Sequence, residues 1–561
     1  MKQVSPLEQL PNEILTRIAV YVARNSSGGP PADLIYLLST SRTLNRELSI
    51  RTNTRLYAEI FRTAFDLAVI QRRFGTDACS TAQLAAELQR RFSALRRIRG
   101  FVRRNTDSFH EGQVLWKPYK EMESDLWCMY LIALEHDQHN LIQLQWAQVR
   151  DLVDLHAVHI LCSCATRRIL PKASLITSLH LHLRYALASI ESQKNGSHLQ
   201  ADEQDNLFIF LKPFVFADHT FDMFLAPWTD LYLPRASSQW NSQHNHGSPT
   251  SPSSSSVFHC GQTLTLAIPP VSRAAIALIF ECTAKALDAT SLKDELDKRV
   301  IESSFQPATS LDFDLDFARL KTCYDYSSSS GLRLEDHVGR FNGVWEGRFA
   351  FFDIEANSRM LQGNDAALYD GTFGEQTQVL RLSEAVVSMS PDGVAEFHQE
   401  YLRDGLESTP INSLQKKSSH SDYISAQPSS AAARSSAQQP YIPITQTDSI
   451  PPMNADSMLR EWRNLPFWTD SEHGQAQNEQ RELLLYGTGH SAWGRFLVRG
   501  RVRIWDGLVV LLKEYGPERQ GRWLYRGYCD TGNKLVGRWR DAYTPSTLRG
   551  YEGPFFLNRR S

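Results

Sequence analysis

Seventeen histidines and eight cysteines are spread through the 561 residues, and the first chemistry they suggest is metal binding. His136 and His139, His156 and His159, and His180 and His182 stand close together, with Cys162 and Cys164 just beyond the second pair. A structural zinc site wants four ligands, usually two tightly spaced pairs. No pair here has a partner pair of that type, so core or surface histidine is the better account, and neither a metal nor another cofactor is expected. Asp312, Asp314 and Asp316 alternate with Phe313, Leu315 and Phe317. That alternation predicts a strand with a wet carboxylate face rather than an acid–base pair. No Gly-x-Ser-x-Gly elbow and no Gly-x-x-x-x-Gly-Lys phosphate loop occurs. Gly487 and Gly489 precede nothing that starts a helix, and are expected to form a turn. No catalytic residue emerges, and the chain is expected to have no enzymatic activity of its own.

Arginines offer a different chemistry, recognition of anions. Arg90, Arg91, Arg96, Arg97, Arg99, Arg103 and Arg104 overlap the apolar stripe of Phe92, Leu95 and Phe101. This predicts the solvated face of a helix, with a nuclear-import or acidic-partner patch as the rival. A Gly-Arg-aromatic triplet recurs at Gly339, Gly347, Gly494, Gly521 and Gly537. On a strand each copy sends its arginine to one face and its ring to the other, with a glycine where a barrel strand must coil. An RNA-binding Arg-Gly segment is disfavoured, because the copies sit inside alternating apolar strands. Lys and Arg number 60 against 62 Asp and Glu, giving 60 − 62 = −2. That balance argues against a dedicated nucleic-acid binder.

The elements that must position these residues fall into blocks. Polar, Ser-rich residues 236–256 and the Ser-, Gln-, Ala- and Pro-rich residues 404–460 cannot offset their ordering entropy, and both are expected to be disordered. Residues 5–50 form a compact helical unit, and 51–235 a helical middle domain, with Leu84, Leu88, Phe92 and Leu95 on one helix face. Within that domain Pro213, Pro227 and Pro234 suggest an irregular aromatic loop over 206–235. Residues 257–330 form a connector of helix and strand, including a helix over 272–287. Alternation takes over from Val338. Phe496, Val498, Val502 and Ile504 share one parity, and Arg495, Arg499, Arg501 and Arg503 share the other, predicted wet, face. Asp506-Gly507, Gly516-Pro517 and the turn over 530–533 then punctuate an antiparallel meander, which tends to remove its edges by closing into a barrel. The fold class is therefore α+β and multidomain. N-terminal helices and a helical middle region precede a C-terminal, up-and-down, lipocalin-like antiparallel β-barrel built from 338–403 and 461–561 and interrupted by the disordered insertion. No signal-peptide stretch opens the chain, and its most apolar run, 274–280, is far short of the ~20 residues of a spanning helix. Eight cysteines without a framework pattern suit a reduced compartment, so cytoplasm or nucleus is expected.

The N-terminal unit carries the most specific pattern. Pro11 precedes a helix with the apolar stripe Ile14, Leu15, Ile18 and Val22. Pro31 and Asp33 open a second helix with Leu34, Leu37 and Leu38, and a third holds Leu44 and Leu48. Leu7, Leu10-Pro11, Glu13-Ile14-Leu15, Ile18, Pro31-x-Asp33-Leu34, Leu37, Ser41-Arg42, Leu44-Asn45 and Leu48 together resemble the F-box, over about the first 50 residues. In that family the Leu-Pro helix docks onto a Skp-type adaptor and so joins a cullin-RING ubiquitin ligase of the SCF type. The resemblance implies adaptor contacts from Leu7, Leu10, Pro11, Ile14, Leu15, Ile18, Pro31, Leu34, Leu38 and Leu44.

Gly343-x-Trp345-x-Gly347, followed by a Gly-rich meander ending near 553–557, resembles the barrel-like C-terminal domain of some F-box proteins, where it serves as substrate receptor. The resulting expectation is a non-catalytic receptor that recruits a target protein through Trp345, Trp493, Arg501, Arg503 and Trp505. The rival is a barrel that holds a small hydrophobic ligand, its F-box serving only turnover, and a third option is an adaptor-bound scaffold outside any ligase. An exposed Trp/Arg groove at the barrel mouth would favour a peptide, and a closed apolar interior a small ligand. No membrane is expected as a partner, and nucleic acid is disfavoured.

Overall fold

The computed structural model describes residues 6–25, 28–110, 117–190, 201–226, 254–290, 307–388, 481–515, 521–544 and 550–560. The expected disorder of 404–460, and of 236–256 except for its last three residues, lies outside the described residues. Those three, Ser254 to Ser256, belong to a strand. Contacts divide the chain into two compact units, one helical and one built on a barrel. Among the described residues no helix is long and apolar enough to cross a membrane.

The helical unit opens with α1 (Asn12–Arg24), α2 (Ala32–Thr40) and α3 (Arg42–Leu48). Pro11 sits at the N-cap of α1, and its carbonyl accepts from the Ile14 N–H at 2.9 Å. A proline costs nothing there, because its missing N–H would have had no helical partner. The buried side of α1 is Leu15, Ala19 and Ala23, rotated from the expected stripe, with Ile14 turned outward at 41% exposure. Leu34, Leu44 and Leu48 complete the small core. Gly29, in the connection between α1 and α2, has a φ of +69°, and a Cβ there would fall 2.1 Å from the Trp146 ring. Only glycine fits that close approach, and its N–H reaches Gln143 Oε1 at 2.7 Å.

Beyond α3 the unit is mainly a helical stack. Thr81–His110 buries Leu84, Leu88, Phe92 and Leu95 as the spacing predicted. Met122–Leu134 is buried all round and forms its centre. A two-stranded hairpin, β1 (Ser254–His259) and β2 (Gln262–Ala267), and the helices Leu175–Ile190 and Val271–Thr290 belong to the same unit.

Ala201–Phe216 is a helix in spite of Pro213, so the irregular loop expected over 206–235 is confined, among the described residues, to 217–226, and its remainder lies outside them. Leu207, Phe210, Leu211, Phe214 and Val215 are buried at helical spacing. At ~1.5–3 kcal/mol each, they outweigh the ~3 kcal/mol of an interior proline. The acidic alternation over 312–317 is not a strand, because Asp314–Thr322 is a helix. Asp314 and Asp316 occupy its first turn, where the positive helix end favours carboxylates. Phe313, Phe317 and Leu320 are buried at the helical spacing of four and three.

In the second unit β3 (Gly343–Phe352), β4 (Phe373–Ser388), β5 (Arg481–Ser491), β6 (Gly494–Arg503), β7 (Leu508–Tyr515), β8 (Arg522–Asp530), β9 (Lys534–Asp541) and β10 (Glu552–Arg559) form an antiparallel closed barrel. Its order is β10-β3-β4-β5-β6-β7-β8-β9, and β9 pairs with β10 to close it. Residues 389–480 are inserted between β4 and β5, two strands that pair directly. Two short helices, Ile354–Leu361 and Ala366–Asp370, join β3 to β4, and the alternation did not foretell them. Phe341, Phe349, Phe496, Trp523 and Trp539, the rings of the five Gly-Arg-aromatic copies, all pack on the inner core. Gly487 and Gly489 lie within β5 rather than in a turn. A Cβ on Gly487 would fall 1.8 Å from the Arg381 carbonyl oxygen. The strands coil so tightly there that the neighbouring carbonyl takes the place of a side chain.

Candidate functional site

Aromatic side chains from five strands (β3, β6, β7, β8 and β9) and one turn meet at one end of the barrel. Trp493, in the turn between β5 and β6, is 49% exposed. Its ring lies 5.4 Å from Phe349, 6.1 Å from Tyr515 and 6.0 Å from Trp523, centroid to centroid. Trp523 continues to Trp539 at 5.1 Å, edge to face. The Trp539 indole N–H donates to the Ala350 carbonyl at 3.0 Å, so this large ring is fixed by a hydrogen bond as well as by packing. The period of two explains the cluster: each ring occupies an inward position on its strand, and the strand ends bring the rings to one level.

Three polar groups lie among these rings. Lys513 occupies an inward position on β7, between Val498 of β6 and Trp523 of β8 in the ladder. Its Nζ reaches Gln378 Oε1 of β4 at 2.9 Å and approaches the Tyr525 hydroxyl of β8 at 3.5 Å. The Tyr525 hydroxyl donates to the same Gln378 oxygen at 3.2 Å. With both donors on its oxygen, the Gln378 amide has its Nε2 buried without a partner. Lys513 and Gln378 are each 2% exposed. Aromatic rings surround the lysine: Phe496 at 4.0 Å, Tyr515 at 4.9 Å, Phe349 at 5.0 Å and Tyr525 at 5.4 Å. Burial pushes the Lys513 pKa well down, while the ring faces favour its charged form. Burial also raises the hydroxyls of Tyr515 and Tyr525, so both remain neutral donors or acceptors at neutral pH. Tyr515 is tied at 2.7 Å to Ser491 Oγ.

Of the expected recognition residues, Trp493 stands at this end. Trp345 is fully buried toward the other end, its indole N–H donated to the Phe341 carbonyl at 2.8 Å. Trp505 is half-buried in the turn after β6. Arg501 and Arg503 do not form a wet face: each is 2% exposed. They point out of the barrel, as their parity requires, but lie under ion pairs. Arg501 meets Glu482 at 3.2 Å. Arg503 grips Asp506 through Nε at 2.8 Å and Nη2 at 2.6 Å, and the Tyr528 hydroxyl adds a bond to Asp506 at 2.8 Å. The local charges explain the difference: Glu482 and Asp506 offer partners close enough to make burial of a guanidinium tolerable. Lys513 and Gln378 carried no motif. Their signal was parity, a lysine and a glutamine on the apolar side of alternating strands.

Among the expected adaptor contacts, Leu10, Pro11 and Ile14 are exposed, Leu7, Ile18 and Leu38 half-buried, and Leu15, Pro31, Leu34 and Leu44 buried. The buried residues support the three-helix core from within. Ile35 and Tyr36 on α2 add apolar surface, at 45% and 67% exposure.

A second cluster in the helical unit has metal-like composition. Glu87, His259 and Cys260 offer ligand atoms within 4.8 Å of one another, all buried. Guanidinium groups already hold its carboxylates. Arg91 Nε lies 2.8 Å from Glu87 and its Nη2 2.7 Å from Glu135, and Arg90 approaches Glu87 at 2.5 Å. His259 Nε2 meets Glu135 at 2.5 Å. Burial alone would raise Glu135, but Arg91 and His259 outweigh it and hold its pKa at about 2. Arg91, expected on a solvated helix face, is fully buried at the centre of this network. Of the paired histidines of the sequence, His156 and His180 stack at 4.1 Å, and His139 Nδ1 lies 3.1 Å from Asp66.

No protein-family model, curated protein or solved structure matches the chain.

Proposed function

We propose that the barrel binds a small, largely apolar ligand at its aromatic end, beneath or against Trp493. The observation that carries this is the convergence of Lys513, Gln378 and Tyr525 from three strands within an aromatic interior, with one amide donor left unused. Ligand sites are mostly apolar with a few convergent polar groups, and a buried donor without an acceptor calls for a partner, which a ligand can supply. A peptide groove is less well supported, because the arginines that would line it are committed to ion pairs. The test is titration of the full chain with the neutral fluorophore N-phenyl-1-naphthylamine. Saturable binding at one probe per chain is expected, weakened about two- to tenfold in Trp493→Ala by loss of one ring contact. Absence of saturable binding refutes the proposal.

The N-terminal unit supports a second proposal. Leu10, Pro11 and Ile14 are apolar and exposed at the start of α1, where a protein partner can cover them. With the F-box resemblance, this favours docking to a Skp-type adaptor and through it to a cullin-RING ligase. The barrel would then act as the ligase's receptor, or the F-box would govern turnover of a ligand-binding protein. Co-purification of the adaptor with the wild-type chain, and its loss in Leu10→Ala/Pro11→Ala, is the expected result. Equal recovery from both chains refutes adaptor docking by this surface.

A further inference from the structure

Charge is unevenly placed in the barrel. The carboxylates on its outer side sit with arginines: Glu346 with Arg560, Glu482 with Arg501, Asp506 with Arg503, Glu514 with Arg499 and Arg522, and Glu552 with Arg526. At the aromatic end the inward charged positions among the described residues are Lys513 and, at the end of β9, Asp541, whose carboxylate is taken up by the Tyr543 and Thr544 N–H groups and the Thr544 hydroxyl. Glu384 and Arg559 share the inward parity but lie toward the opposite end. Glu384 accepts there from the backbone N–H groups of Gly339 and Phe341, and Arg559 approaches the Gly339 and Arg340 carbonyls. Lys513 thus has two neutral oxygen neighbours, Gln378 Oε1 and the Tyr525 hydroxyl, and four rings, but no anion. A buried ammonium without a counter-charge is costly, and a ligand that brings the anion removes that cost. The unused donor points to the same chemistry. Gln378 Nε2 is buried without a partner, on the same amide whose oxygen accepts from Lys513, so a cationic donor and a neutral donor stand side by side. An acceptor with two oxygens can engage both, and the surrounding rings suit an apolar remainder.

We propose that the barrel's ligand is a small aliphatic carboxylic acid, whose carboxylate sits between the Lys513 ammonium and the Gln378 amide while its chain lies against Trp493, Trp523 and Phe349. This rests on the ligand-binding proposal above and adds the ligand's head group. Trp493 is the most exposed ring of the cluster, and its side chain meets the rings of Phe349, Tyr515 and Trp523, so a ligand at this end would lie against it. No covalent step is involved.

The experiment compares decanoic acid with decanol by isothermal titration calorimetry on the full chain, below the concentration at which either self-associates. Charge-assisted hydrogen bonds make the expected preference for the acid about tenfold or more. Lys513→Met is expected to abolish that preference while leaving decanol affinity within about twofold. Gln378→Leu, which removes the amide but keeps the lysine, is expected to reduce the preference partway, and it serves in place of Lys513→Met should that variant fail to fold. Equal binding of acid and alcohol by the wild-type chain overturns the carboxylate assignment and leaves the apolar-ligand proposal standing. So does an acid preference that survives both substitutions. Binding of neither compound overturns both proposals together.

Discussion

Arg91→Met tests whether the Glu87–Arg91–Glu135–His259 cluster is a charge network that holds the helical unit together. Arg91 is fully buried, bonds to Glu87 at 2.8 Å and to Glu135 at 2.7 Å, and lies 5.2 Å from the Phe61 ring and 5.0 Å from that of Phe65. Removing one member of a buried ion pair costs about 3–5 kcal/mol, because the other charge stays behind without compensation. Two features bear on where in that range the loss falls. Glu87 keeps Arg90 and Glu135 keeps His259, which limits the penalty. The lost ring contacts add about 0.5–2 kcal/mol. A loss of about 3–5 kcal/mol is therefore expected. Arg91→Met/Glu135→Gln removes charge from both sides, and should be less damaging than the sum of the single changes by about 1–3 kcal/mol. Hydrogen exchange of amides in Thr81–His110 and Met122–Leu134 is the appropriate assay, since it reads opening of this unit without mixing in the barrel. Exchange accelerated less than about fivefold by Arg91→Met, or strict additivity in the double variant, would refute the network. Chelators should leave the slow amides unchanged if guanidinium groups, not a metal ion, neutralise the carboxylates.

Arg503→Ala should destabilise the barrel by about 3–5 kcal/mol, since it strands Asp506 in a fully buried position; a shift in melting below about 2 °C would refute this. Trp539→Ala should cost about 3–5 kcal/mol by loss of a buried ring and its Ala350 bond, whereas half-exposed Trp493→Ala should cost much less; melting of the two variants side by side checks the order. Burial lowers the pKa of His180 to about 4 and that of His182 to about 3, against 6.5 for the free side chain. The unfolded chain then binds more protons between those values, so the contribution of these residues is complete above about pH 6.5 and falls as pH drops toward 4. Hydrogen exchange in Leu175–Ile190 should accelerate from pH 7 to 5 beyond its chemical pH dependence, and His180→Phe should flatten that trend. A flat trend in the wild-type chain would refute it.

The barrel was legible because parity is local. A strand's neighbours must alternate, so each Gly-Arg-aromatic triplet shows its own inward ring without knowledge of the rest, and the turns at Asp506-Gly507 and over 530–533 fix the order of strands. The helix over Ala201–Phe216 was harder to see, because a single Pro213 is a strong local signal and the burial that overrides it is spread over five residues. The fate of the arginines was not visible for a related reason. Parity says which face a side chain takes, but not whether that face is wet. Arg501 is directly opposite Leu484 in the ladder, and its partner Glu482 lies two residues along, a diagonal relation that requires the register of β5 against β6.

The same limit explains why the candidate site carried no motif. Lys513 and Gln378 lie 135 residues apart and on strands three places apart around the barrel, β4 and β7, so neither sequence spacing nor strand pairing joins them. Only closure of the barrel turns two inward polar positions into one site. Parity is the signal that could have found both: a lysine and a glutamine on the side of the strand reserved for Val498, Leu380 and Tyr525 conflict with the local pattern. Such a conflict persists in a folded chain when the polar groups satisfy each other. Here they do so incompletely, since the amide nitrogen has no acceptor. A structural pair would have been served as well by leucines, which fill the same lumen at Leu380 and Leu511 without any desolvation cost. A lysine in a ring-lined interior, next to a spare donor and beside a half-exposed tryptophan, is the arrangement that the proposed carboxylate ligand would complete.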